Sequence, residues 1–249
     1  MKKASLIVFI VSLLAHGVAF SATSDIILLT AQEGVDGQQT YSVSLQILLF
    51  MSLLSMLPAA MMAMTSFTRI VIVLAILRQA LGMMQTPSNQ IIIGIALFIT
   101  LFIMSPVFES SFENGIRPYM DETIDFDSAL EETRGPFHNF MSAQVRDSDV
   151  ALFSEMAGYE TFASVADIPF RVLVPAFITS ELKTAFQIGF LIFIPFLVID
   201  LVVSSILMSM GMMMLSPMLI SLPFKIMLFV MVDGWTLVLG TLAASFFVA

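Results

Sequence analysis

Apolar and polar positions along this chain fall into long blocks, and several blocks are of membrane-crossing length. Val43 to Met64, VSLQILLFMSLLSMLPAAMMAM, is 22 residues without a charge, against the roughly 20 needed to cross a hydrocarbon core. Pro58 within it predicts a kink. The next stretch, TSFTRIVIVLAILRQALGMMQTPSNQ, carries Arg69 and Arg78 but no acid, and predicts a short helix that Pro87 stops. IIIGIALFITLFIMSPVF, from Ile91 to Phe108, predicts a second crossing. The chain then turns polar, with short apolar groups such as Ala151, Leu152, Phe153 and Met156 that predict amphipathic helices in water. Apolar sequence resumes at Arg171. Phe186 to Leu215 is one run interrupted by Pro195 and Asp200, Ser216-Pro217 and Pro223 break it, and Ile226 to Val248 can cross again. The pattern predicts an all-α, polytopic membrane protein with about four apolar helical segments.

The N-terminus, MKKASLIVFIVSLLAHGVAFSA, joins two lysines, a short apolar run and small residues, the three-part plan of a secretory signal peptide, with cleavage expected after Ala19 or Ser21. The expected organisation is a signal peptide over 1–21, a periplasmic N-terminal segment over 22–42 and a first helical hairpin region over 43–108. An acidic, partly helical periplasmic segment follows over 109–171, then a second helical hairpin region over 172–249. Four crossings from an external residue 22 place Arg69, Arg78 and Lys225 inside and the acidic segment outside, in line with the positive-inside rule.

Composition agrees, with 58% of residues apolar and only 12% charged, where a soluble domain is about a quarter charged. Residues 109–170 hold 13 acids and three bases, a local charge of −10 that accounts for the whole −9 of the chain. No EF-hand-like spacing occurs among these acids, so they read as a solvated surface. Nothing here favours nucleic acid as a partner. Cysteine is absent and histidine is limited to His16 and His138, which removes thiolate chemistry and multi-histidine metal sites. There is no P-loop, and Ser204, Ser205 and Ser209 have no base at helical spacing. The expectation is therefore no enzyme, no cofactor and no metal; copper bound by clustered methionines is disfavoured by the lack of nearby histidine or cysteine.

Several charges interrupt the second apolar region. Glu181 and Lys183 lie two residues apart, about 200° around a helix, so they cannot neutralise one another side by side. Asp200, Lys225 and Asp233 add three more. A charge in hydrocarbon costs about 2.5 to 3.5 kcal/mol on insertion scales, so each calls for a protein partner or water. An ion pathway, contacts between subunits of an oligomer, and simple placement at helix ends are all open to these residues. For Glu181 and Lys225 pairing is favoured.

The run LMSMGMMMLSP (207–217) concentrates five methionines between Met208 and Met214 around Gly211. On an unbroken helix they would point all around the axis and mostly pack. Gly211 and the following Leu-Ser-Pro favour a break near Met212 to Met214, which would let those three project together and leave Met208 and Met210 as packing residues. Methionine adapts to irregular gaps, so several copies of such a turn can close a pore without specific bonds. Filler remains open too, since the chain has 20 methionines, with further clusters at Met61, Met62 and Met64 and at Met83 and Met84.

PAFITSELKTAFQIGF (175–190), PFLVIDLVVSSILMSMGMMMLSP (195–217) and ISLPFKIMLFVMVDGW (220–235) closely resemble the FliP family of type III secretion export-gate proteins, and TSFTRIVIVLAILRQALG extends the resemblance toward the N-terminus. The signal peptide and the long outer segment resemble the flagellar branch more than its virulence counterparts. The resemblance implies an export gate in the bacterial inner membrane at the flagellar basal body. There FliP copies, five in the family, assemble with FliQ and FliR into a helical, ring-like oligomer beside FlhB and FlhA. FliO enters as an assembly factor, and unfolded flagellar subunits pass through the pore. It also implies bent hairpins whose mass is raised toward the periplasm, so that not every apolar run lies in membrane lipid. For residues, it implies an ion pair between Glu181 and Lys225 of adjacent subunits, a gasket at Met212, Met213 and Met214, and structural or assembly roles for Lys183, Asp200, Gly211 and Pro217. An ion or proton channel subunit, resting on Glu181, Asp200 and Asp233, is the alternative function, and the gate of a virulence secretion system is another.

Overall fold

The computed structural model describes residues 42–83, 85–159, 162, 164–212 and 215–247. The signal peptide, the 22–42 segment save Ser42, and Met84, Met213 and Met214 lie outside the described residues. Regular structure among the described residues is helical. Helix α1 (Ser42–Ala63) and α2 (Phe67–Ala80) are followed by α3 (Asn89–Ser111), which runs through a π-helical turn (Phe112–Ile116) into α4 (Arg117–Met120). The acidic segment supplies α5 (Phe126–Gln144), α6 (Asp147–Met156) and a 3-10 turn (Val165–Asp167). Then come α7 (Phe170–Ser209), α8 (Pro217–Met231) and α9 (Gly234–Ala244). Among the described residues two helices are long and apolar enough to cross a membrane, and up to four spans result if bent helix pairs count as one.

The chain divides into a unit ending at Ser55 and a unit from Met56 onward. In the first, the apolar residues between Ile47 and Leu54, interrupted by Ser52, are exposed all around the helix, a surface suited to lipid or to another apolar protein face. The second unit holds the core. On α2 the buried residues are Arg69, Ile70, Val73, Leu74, Leu77 and Ala80, one stripe at helical spacing. On α7 the buried stripe runs Val172, Leu173, Ala176, Phe177, Ser180, Glu181, Ala185, Gly189 and Phe196. These two stripes meet: Arg69 contacts Glu181, and a Cβ on Gly189 would run into Ile76. Residues rising together on both helices mean that α2 and α7 run parallel.

Parallel neighbours need a return path, and α3 with the acidic segment provides it. Met141 of α5 is buried with Ile168, Val172, Leu173 and Phe177, while Phe140, Val150 and Phe153 pack against them. The start of α7 is thus embedded in the acidic segment. A 40-residue helix is about 60 Å long, twice the hydrocarbon thickness, so α7 is longer than one crossing requires.

Two expectations are corrected. The run from Ile226 to Val248 is not one straight helix. It breaks at Val232 and Asp233, where Asp233 adopts φ 50, and α8 and α9 are bent by 63°. Second, Arg69 and the acidic segment do not lie on opposite sides of a membrane: Arg69 is buried against Gln144 of α5.

Candidate functional site: ion pairs along one helix and a methionine turn

Helix α7 carries most of the polar chemistry, in three clusters. Glu181 is 0% exposed and meets the guanidinium of Arg69 through both oxygens: Arg69 Nε donates to Oε2 at 2.8 Å, and Nη2 donates to Oε1. The same guanidinium donates to Ser245 Oγ at 3.0 Å and Gln144 Oε1 at 3.0 Å, and lies 3.8 Å from the centroid of the Phe246 ring. Gln144 Nε2 donates to the Phe246 carbonyl at 3.3 Å. Arg69 therefore joins α2, α5, α7 and the residues after α9. Its planar fork and flat face allow bidentate and stacked contacts together, which a lysine cannot supply.

Lys183, on the other side of α7, pairs with Asp149 of α6. Ser180 Oγ donates to the second Asp149 oxygen at 2.7 Å, and the Arg146 amide donates to Ser180 Oγ at 3.1 Å. Arg146 Nη2 donates to Gln187 Oε1 at 2.6 Å. Burial raises the Asp149 carboxyl, but the hydrogen bonds from Lys183 and Ser180 and the charges of Lys183 and Arg146 outweigh it, so its pKa lies below the ordinary aspartate value. Asp149 is 1% exposed, which corrects the expectation that the acids of this segment are all solvated.

The third cluster sits farther along α7. Asp200 Oδ2 accepts from Lys225 Nζ at 2.6 Å and Oδ1 accepts from Ser221 Oγ at 2.5 Å, both on α8. Lys225 Nζ also donates to the Ala80 carbonyl at 3.0 Å. Ala80 is the last residue of α2, where orphan carbonyls and the helix dipole favour a cation. Within the chain, then, Glu181 and Lys225 are not partners of each other: Glu181 takes Arg69 and Lys225 takes Asp200. Asp233 is exposed at the turn between α8 and α9.

Beyond Asp200, α7 runs to Ser209 and stops. Gly211 adopts φ +74, a left-handed conformation that glycine takes at no steric cost. The Gly211 amide donates to the Met208 carbonyl and the Met212 amide to the Leu207 carbonyl, both at 3.0 Å, the paired bonds of a Schellman cap. Helix α8 restarts with Ser216 before it and Pro217 at its first position, where a missing N–H costs nothing. Met208 and Met210 are each 63% exposed and Met212 is 43% exposed. Because α8 and α9 bring Ser245 back to Arg69, this turn lies at the end of the bundle remote from the acidic segment, 28 residues or about 40 Å of helix beyond Glu181.

Two partners escaped the sequence-level argument. Arg69 left a signal, since it shares a helical face with Val73 and Leu77 and has no acid in its own stretch. Asp149 left none that separates it from the acids around it.

A bundle built on long apolar helices, whose buried charges among the described residues are matched within the protein, defines an all-α polytopic membrane protein. The sequence model of the FliP family matches residues 50–242, so the chain belongs to the FliP family. The flagellar biosynthetic protein FliP of Cereibacter sphaeroides is 52% identical over 218 residues, 88% of this chain and 72% of that protein. FliP of Bacillus subtilis is 50% identical over 84% of this chain and 94% of its own length. FliP of Buchnera aphidicola from Acyrthosiphon pisum is 53% identical over 91% of this chain, a match spanning 60% of that longer protein. The protein is a membrane component of the flagellar biosynthesis and export apparatus.

Proposed function

We propose that the chain is a pore-forming subunit of the flagellar export gate, passing unfolded flagellar subunits across the inner membrane. In this proposal several copies, five by family resemblance, assemble with FliQ and FliR beside FlhB and FlhA, with FliO assisting. Much of the mass sits at the periplasmic level, as the length of α7 allows. The observation that carries it is the capped end of α7: a Schellman turn at Gly211 stops the helix and leaves Met210 and Met212 exposed ahead of Ser216-Pro217. Repeated around a ring, Met212, Met213 and Met214 form a soft seal that adapts to a passing side chain and excludes ions by dewetting. A proton-channel reading gains no support from Glu181 or Asp200, whose carboxylates are matched by Arg69 and Lys225.

Changing Met212→Ala, Met213→Ala and Met214→Ala together is expected to raise leakage of small ions and metabolites in growing cells, while the complex still assembles. Unchanged permeability would remove the gasket from the proposal.

Pairing of Glu181 with Lys225 of an adjacent copy belongs to the same proposal, and it implies that assembly exchanges or shares the partners each residue has within its own chain. Cysteines at the exposed neighbours of the pair, Leu182→Cys with Phe224→Cys, should then cross-link adjacent copies, read as covalent multimers on a denaturing gel. Absence of those multimers counts against the contact between copies.

A further inference from the structure

Helices α7 and α8 meet over surfaces that are poor at specifying one alignment. From Phe196 onward the buried residues of α7 are Phe196 and Leu207, and those of α8 are Ser221, Lys225 and Phe229. So few buried apolar side chains interlock too little to fix one alignment by packing alone. Against that background Lys225 is conspicuous, because an apolar residue of the same length would pack as well and need no partner. A buried ion pair is weak evidence for stability, and its better-attested use is to fix register.

The geometry around Lys225 has that form. Its ammonium reaches the end of α2 through the Ala80 carbonyl and the side of α7 through Asp200, and Ser221, one turn earlier on α8, takes the other Asp200 oxygen. Three helices are thus referenced to one point. A slide of α8 by one helical turn, about 5 Å, would break all three bonds. The point lies close to the methionine turn on the chain: Ser221 is in the first turns of α8, and only residues 210–216 separate the two helices. With so short a connection, the alignment of its two arms decides where Met212 projects.

We propose that Asp200, Ser221 and Lys225 are positioning residues that set the register of α8 against α7 and so hold the methionine turn in its sealing position. The proposal rests on the reading of that turn as a seal, but its structural half is tested separately. The chain contains no cysteine, so spin labels on Ile206→Cys and Leu219→Cys, both at exposed positions, report the α7 to α8 distance in the detergent-purified oligomer by pulsed electron resonance. The test variant is Asp200→Asn with Ser221→Ala, which loosens the cluster while leaving Lys225, its bond to the Ala80 carbonyl and its proposed contact with the adjacent copy in place.

The expected result is an unchanged melting temperature with a distance distribution that shifts or broadens by about 5 Å, one helical turn, accompanied by ion leakage approaching that of the triple methionine variant. An unchanged distance at unchanged melting temperature overturns the proposal, as does a lowered melting temperature with the distance intact, which would make the cluster a stabilising contact only. If the triple methionine variant does not leak, the seal reading fails while the distance measurement still decides the register. Ser221→Ala, which leaves the charges in place, should broaden the same distribution to a smaller extent.

Discussion

Arg69→Met is expected to reduce the protein in the membrane fraction severely and to lower its melting temperature in detergent more than any other single substitution considered. The change leaves Glu181, fully buried, without its cation. Removing one partner of a buried pair costs about 3 to 5 kcal/mol, a large share of the 5 to 15 kcal/mol by which typical proteins are stable. The loss does not stop at Glu181, because Arg69 also bonds Ser245 and Gln144 and stacks on Phe246, so the residues after α9 lose their anchor. Arg69→Lys should recover only part of the stability, since a point charge cannot make the bidentate contact and the stacked one together. The double change Arg69→Met with Glu181→Leu should recover more than Arg69→Lys, because no buried charge is left unmatched. Accumulation of Arg69→Met at wild-type levels would show that Glu181 finds another partner.

Short-range features of the fold are legible in the sequence and long-range ones are not. Helices set by local blocks of apolar residues, such as α2 ending before Pro87 and α3 over Asn89–Ser111, were legible in the sequence. So was the geometric statement that Glu181 and Lys183 need separate partners, which they have in Arg69 and Asp149. Which partners these are depends on α2 and α7 running parallel, and Glu181 lies 112 residues from Arg69. Periodicity within one helix carries no information about that. The break between α8 and α9 was missed because no proline marks it; it depends on the left-handed backbone at Asp233 and on Gly234, which lets the Phe229 ring lie close by. Hydropathy averages over both features.

Gly115→Val is expected to open the hairpin between α3 and α5 and to make the acidic segment protease-sensitive. Gly115 lies in the π-helical turn, and a Cβ there would meet the Thr133 side chain and, more seriously, backbone atoms: the Thr133 nitrogen at 2.8 Å and the Ala129 carbonyl oxygen at 2.9 Å. Backbone of a packed helix cannot swing aside as a side chain does, so the two helices must separate. Overpacking of this kind costs about 1 to 3 kcal/mol, and here it also strains the Ser111 hydroxyl bond to the Thr133 carbonyl and the Phe108 contact with Phe137, rings 5.8 Å apart. Gly135 on the facing helix is the control. It lies within α5 with open space around an added Cβ, so Gly135→Ala should be neutral or stabilise by about 0.5 to 1 kcal/mol through the lower entropy of the unfolded chain. Limited proteolysis of both variants in detergent separates the outcomes: rapid cleavage between Phe112 and Gln144 in Gly115→Val, with wild-type resistance in Gly135→Ala, is the expected pattern. Equal resistance in the two would mean that the π-helical turn relaxes without parting the hairpin, and that close approach at Gly115 is not what holds the acidic segment to α3.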